Sequence, residues 1–170
     1  LTASAFLLCL LAKGPGMESA LMCMFSSILI TAAFIDARHM YIPDGIHILI
    51  LLLSCISLAA GSGPAIINRL GGSLLAGGFL ALVNLLSRGG VGWGDVKLFA
   101  ASGLLIGAAP AITALLMGYV AAGLWYAVPL VRGRVGRKTQ IPMAPFFAVS
   151  LMVCGLWFRQ LFLWYLGFFR

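Results

Sequence analysis

SALMCMFSSILITAAFI, residues Ser19 to Ile35, runs without a charged side chain and stops on Asp36. An α-helix rises about 1.5 Å per residue, so roughly 20 apolar residues carry it across a bilayer core of about 30 Å. Working outward, further apolar runs occupy Leu1 to Ala12, Gly45 to Ala60, Leu70 to Leu86, Val96 to Ala109, Ala111 to Val131 and Pro142 to Phe158. These are seven candidate helices, the first and fifth shorter than a full span. Of 170 residues, 62% are hydrophobic and only 9% charged, and the mean hydropathy is +1.10, which excludes a soluble globular domain. Backbone groups left unpaired in lipid are costly, and no alternating ten-residue pattern is present, so helices are expected and a barrel is not. The expected fold is an all-α integral membrane protein, a polytopic bundle of six or seven transmembrane helices forming one membrane-embedded domain over 1–170.

The net charge of +7 would suggest nucleic acid in a soluble chain. Here the basic residues lie in short connections between apolar runs, where they orient the chain in a lipid bilayer, and no nucleic-acid partner is expected. The connections are read as Lys13 to Glu18, Asp36 to Asp44, Gly61 to Arg69, Ser87 to Asp95, a Pro110 kink, and Arg132 to Ile141. Alternate connections must lie on opposite sides. One set, with Lys97 at its edge, carries Arg38, Arg88, Lys97, Arg132, Arg134, Arg137 and Lys138, and the other carries Lys13 and Arg69. The basic-rich side is therefore read as cytoplasmic. The aromatic stretch Arg159 to Arg170 is expected to lie along the outer interface. Cys9, Cys23, Cys55 and Cys154 form no C-x-x-C pair and read as packing residues, with neither zinc nor a disulfide frame implied. The first run has no basic residues ahead of it and no small-residue cleavage site behind it, so a removable signal peptide is not expected.

The chain holds four acids, Glu18, Asp36, Asp44 and Asp95. Asp36 follows one apolar run and Asp95 immediately precedes another, VKLFAASGLLIG. Two helices separate them, and an even number of crossings returns the chain to the same side. Both carboxyls are thus expected at one membrane face. Two carboxyls brought together in a partly dry setting share a proton. One then takes a proton from an attacking water while the other polarises the carbonyl and protonates the leaving amine, with no metal, cofactor or covalent intermediate. Taken alone, boundary aspartates also read as ordinary interfacial charges paired to Arg38 or Lys97.

GWGDVKL, Gly92 to Leu98, resembles the GxGDxKL motif of the type IV prepilin peptidases, which are membrane aspartyl proteases. IDARHMYIPD, Ile35 to Asp44, is similar to that family's first-aspartate segment, and IPMAPFFA, Ile141 to Ala148, resembles its later IPFGPFLA-type segment, with Ala144 where the family often has Gly. The resemblance covers essentially the whole chain. It implies that Asp36 and Asp95 are a catalytic pair that removes a short basic leader, just after a small residue, from prepilin-like precursors at the cytoplasmic face of a bacterial inner membrane. Larger members carry a cysteine-bearing domain ahead of the helices and also N-methylate the product. That segment is not seen here, so the chain reads as a short, peptidase-only member or as a piece lacking its amino-terminal part, and methylation is not expected.

Gly92 and Gly94 are expected to permit positive φ and to leave room for an extended substrate beside Asp95. Asp44 reads as the N-cap of the next helix, or else as a contact for the basic leader. Lys97 reads as orienting Asp95 or touching substrate, or as a lysine reaching for the interface. Pro142 and Pro145 are expected to bend the start of the last helix and shape the substrate groove. Asn84 is expected to make an interhelical hydrogen bond, and His39 and His47 are not read as metal ligands. Two other classes stay open: a small transporter or channel whose boundary acids bind a cation, disfavoured because no acid lies at the bilayer midplane, and a noncatalytic component of a pilus or secretion assembly.

Overall fold

The computed structural model describes residues 2–132 and 142–168. Arg134, Arg137, Lys138, Ile141, Phe169 and Arg170, used above in reading topology and motifs, lie outside the described residues. The chain is helical: α1 Thr2–Lys13, α2 Met17–His39, α3 Asp44–Ala59, α4 Ile66–Leu86, α5 Trp93–Ile106, α6 Ala108–Val131 and α7 Ala144–Phe168. Four of them, α2, α4, α6 and α7, are long and apolar enough to cross a membrane. The outward faces of α4 and α6 carry Leu74, Leu85, Leu124 and Trp125, all strongly exposed, as lipid-facing side chains are.

Local chemistry moves several boundaries from where composition alone puts them. α2 does not stop at Ile35. It runs a further turn and ends where Met40 turns left-handed and its N–H donates to the Asp36 carbonyl at 2.8 Å, so Asp36 lies inside a helix. Asp95 likewise sits in the first turn of α5. The break between α5 and α6 is Gly107, at φ 88, not Pro110. Pro110 belongs to the first turn of α6, where its missing N–H costs nothing. The Asn68 side chain of α4 completes this turn by accepting the Ala108 N–H at 2.9 Å. α7 continues to Phe168 but breaks direction at Trp157, whose φ of −122° and ψ of 15° are not helical.

In lipid the outside of a bundle is as apolar as its inside, so close approach of backbones decides the packing. α4 carries it here through two glycines, Gly72 and Gly77. A Cβ on Gly77 would lie 2.6 Å from Ala100 Cβ, and one on Gly72 would strike the backbone at Gly103, whereas Gly78 faces open space. α4 includes a π-helical turn, Ser73–Gly77, at this contact. α5 is the central element, packed against α3, α4, α6 and α7, with Leu98, Phe99 and Leu105 almost completely buried. Phe99 meets Phe147 of α7 edge to face at 4.9 Å.

The end remote from Asp36 and Asp95 is closed by Arg69, which is 2% exposed. Its guanidinium donates to the carbonyls of Pro64 at 2.8 Å and Leu104 at 3.1 Å, to Ser57 Oγ at 2.8 Å and to the Ser62 carbonyl. Leu104 and Ser57 lie in the last turns of α5 and α3, so the cation sits at the negative ends of two helix dipoles. Arg69→Met is expected to leave these acceptors dry and to destabilise the protein by about 3–5 kcal/mol, read as a lowered midpoint of denaturant unfolding in detergent. Of the cysteines, Cys9 and Cys154 are buried in the core, Cys23 is half-buried and Cys55 is exposed on the outer surface.

Candidate active site

Contacts at the other end show the alternation of connections expected from the sequence. Asp36 on α2 meets the start of α7, Asp44 on α3 meets Lys97 on α5, and His47 on α3 meets Gly94 on α5. The loops 40–43 and 87–92 and the start of α7 therefore share one end of the bundle, and Asp36 and Asp95 are both there.

Asp36 is buried, at 8% exposure, and Oδ2 accepts the Ala144 N–H at 2.9 Å. The first N–H groups of a helix have no partner within it, and the dipole is positive there, so the start of α7 is a ready seat for a carboxylate. Pro145 is the second helical residue and has no N–H to offer, while the Phe146 and Phe147 amides donate to the Met143 carbonyl. Ala144 is left facing Asp36. The prolines therefore initiate α7 rather than bend it, and the contact runs through a backbone amide that no side-chain pattern announces.

Asp95 stands ahead of the apolar part of α5 and outside the four spans. Burial there pushes its carboxyl up to about 7, and the nearby Asp36 charge adds to the shift, because two negative charges in a poorly solvated place repel. The Asp95 charge also reaches Tyr119 of α6, whose ring packs edge to face on Phe147 at 5.2 Å. Tyr119 was not singled out in the sequence, where it is one aromatic in an apolar run.

The two glycines of GWGD act through space and not through φ. Gly92 is the N-cap of α5 at φ −65°, and Gly94 has no positive φ either. A Cβ on Gly92 would lie 3.3 Å from Asp95 Oδ2, and one on Gly94 would lie 3.3 Å from Ile42 Cβ. Asn84 supports the same loop. With its amide turned so that nitrogen donates to the Val91 carbonyl at 2.8 Å, its oxygen accepts from Trp93 Nε1 at 3.2 Å, joining α4 to α5.

Asp44 is the first residue of α3, behind Pro43 as N-cap, and its side chain makes no capping bond. The carboxylate takes a hydrogen bond from Lys97 Nζ at 2.7 Å instead, and this bond and the lysine charge hold its carboxyl below the ordinary carboxylate range. The partner that Lys97 has is therefore Asp44, and no hydrogen bond joins it to Asp95 among the described residues. His47 Nε2 lies 3.0 Å from the Gly94 carbonyl. A carbonyl only accepts, so Nε2 carries the hydrogen. This bond ties α3 to the backbone one residue ahead of Asp95. Its clue in the sequence was weak: a histidine one turn after Asp44, on the same face of α3.

A family model described as the type IV leader peptidase family matches residues 23–127, which carry Asp36, Asp44, His47, Lys97 and Asp95. The chain belongs to the type IV leader peptidase family. Among relatives, the prepilin leader peptidase/N-methyltransferase of Bacillus subtilis strain 168 is 30% identical over 140 residues, 79% of this chain and 54% of that protein. The protein of the same description from Aeromonas hydrophila is 31% identical over 162 residues, 92% of this chain and 55% of its own. The one from Legionella pneumophila is 28% identical over 146 residues, 83% of this chain and 51% of its own. The chain spans about half the length of these relatives. No solved structure matches it. Within the leader peptidase family frame, the three segments read from the sequence gain distinct jobs: one supplies a buried acid, one a half-buried acid behind small residues, and one the helix start that seats the first acid.

Proposed function

We propose that this protein is an aspartyl endopeptidase that removes the basic leader from prepilin-like precursors at the cytoplasmic face of the inner membrane, with Asp36 and Asp95 as its catalytic pair. The observation that carries this reading is the meeting of the two acids, from α2 and α5, at one end of a membrane-embedded bundle, one seated on the Ala144 amide and the other inclined to keep its proton. The fixed N–H and the dipole of α7 favour the anion on Asp36, which takes the proton of the attacking water. Asp95, protonated near neutral pH, donates to the substrate carbonyl and then to the leaving amine. The basic residues Arg38, Arg88 and Arg132, all at this end, support a cytoplasmic orientation. Gly92 and Gly94 leave space for an extended segment of substrate beside Asp95.

The deciding experiment is coexpression with a prepilin, leader removal being read as a gel shift. Cleavage is expected and should persist in EDTA. An unchanged precursor, tested against several prepilins, defeats the proposal. Loss of the His47–Gly94 bond should misplace Asp95 without removing it. His47→Ala is expected to lower kcat about tenfold with little change in KM, the worth of one or two hydrogen bonds. His47→Gln, which restores an N–H donor, is expected to recover most of the loss.

A further inference from the structure

Asp95 on α5 and Tyr119 on α6 stand equally far along the chain from Gly107, the turn that joins their helices, so both lie about 18 Å from that turn. Beneath the two acids is a floor of aromatic side chains. Phe99 is one turn below Asp95 on α5, and Phe147 is one turn below Ala144, whose amide seats Asp36. Both rings are fully buried and meet edge to face at 4.9 Å. Tyr119 rests on the α6 edge of this floor, its ring 5.2 Å from that of Phe147. Gly118 holds the contact tight, since a Cβ there would lie 2.5 Å from the Phe147 ring.

A phenol taken out of water usually finds a hydrogen-bond partner. Tyr119 is half-buried, yet its hydroxyl makes no hydrogen bond among the described residues. The Asp95 charge nonetheless reaches it, so phenol and carboxyl are neighbours that are not bonded to each other. The other donors around the acids are committed: the Ala144 N–H to Asp36, His47 Nε2 to Gly94, Lys97 to Asp44, and Trp93 Nε1 to Asn84. Tyr119 carries the donor that is left for a substrate.

We propose that the Tyr119 hydroxyl donates a hydrogen bond to the carbonyl oxygen of the bond being cut and stabilises the negative charge that develops there. The inference rests on the leader-peptidase reading and adds a third catalytic residue to the acid pair. Attack by water turns that oxygen into an oxyanion while Asp36 takes the proton of the water. Asp95 has to turn its own proton toward the leaving nitrogen before the C–N bond breaks, and a second donor then keeps the charge on oxygen balanced. The phenol stays protonated throughout and transfers nothing. Because its ring is fixed on a buried floor, the donor is in place before the charge appears.

The test uses the full chain and a purified precursor. Tyr119→Phe keeps the ring on Phe147 and removes the hydroxyl, and Tyr126→Phe, about two turns nearer the end of α6 with its ring on Phe146, is the control. Tyr119→Phe is expected to lower kcat about a hundredfold, the scale of one lost oxyanion donor, with KM within about twofold of wild type, while the control changes neither. At position 119, 4-aminophenylalanine offers an N–H where the hydroxyl stood and is expected to recover most of the loss, whereas 4-methylphenylalanine, of similar size without a donor, is not. A kcat for Tyr119→Phe within about threefold of wild type, or a loss confined to KM, overturns the assignment. If Tyr119→Phe fails to fold, the two analogues decide, and equal activity of both overturns it. Failure of the wild-type protein to cleave any prepilin overturns the leader-peptidase reading itself.

Discussion

Asp36→Asn and Asp95→Asn are each expected to insert and fold and to lose cleavage of a prepilin by at least about a thousandfold, the scale set by removing a general acid or base that works at the reacting atoms. Asparagine keeps the size of the side chain. At Asp36 its oxygen can still accept the Ala144 N–H at the start of α7, so the local packing survives while the ability to take up a proton is lost. At Asp95 the exchange removes the carboxyl that burial, with a smaller push from the neighbouring acid, brings up to about 7. The double variant is expected to be no worse than either single one, because two groups that move one proton set between them fail as a unit. Coexpression with a precursor and a gel shift reads the outcome, with detergent-extracted yield as the control for folding. Normal cleavage by either variant contradicts the acid pair.

The second large effect is on the basic side of the pH profile. In the proposed mechanism the working state has one proton on the pair, and with the Asp95 carboxyl pushed up to about 7, that proton is expected to leave as pH rises through this value. Activity should therefore be retained below 7 and fall about tenfold for each unit above it, as both carboxyls become charged and no acid remains for the leaving amine. Initial rates measured on one precursor between pH 5 and 9 check this. A profile flat to pH 9 would show that Asp95 is not the proton donor.

Much of this was legible in one dimension. Apolar runs gave the helices, and counting crossings put Asp36 and Asp95 at the same end, because the side of a membrane alternates with each span. What the sequence hid was contact between distant backbone groups. Ala144 looked like a departure from a motif, yet its amide seats Asp36, and a backbone donor leaves no trace in residue type. The pairing of Asp44 with Lys97 joins residues 53 positions apart, so the local preference of Asp for a helix start gave the wrong partner. Of the two properties that the glycines of GWGD suggest, freedom at positive φ is not used, and the space left by the missing Cβ beside Asp95 and Ile42 is. Asp36 was placed just past its helix because hydropathy stops there, while the backbone bond from Met40 carries the helix another turn.

Arg69 gives the bundle a sense of direction. A guanidinium sealed among carbonyls at the far end is a fixed positive plug, and the α5–α6 turn at Gly107 packs against Asn68 close by. A cation brought in beside the acids would meet that fixed charge, which opposes its passage along the bundle. The two ends of the bundle therefore differ in kind, one holding acids and the other a cation bound to carbonyls.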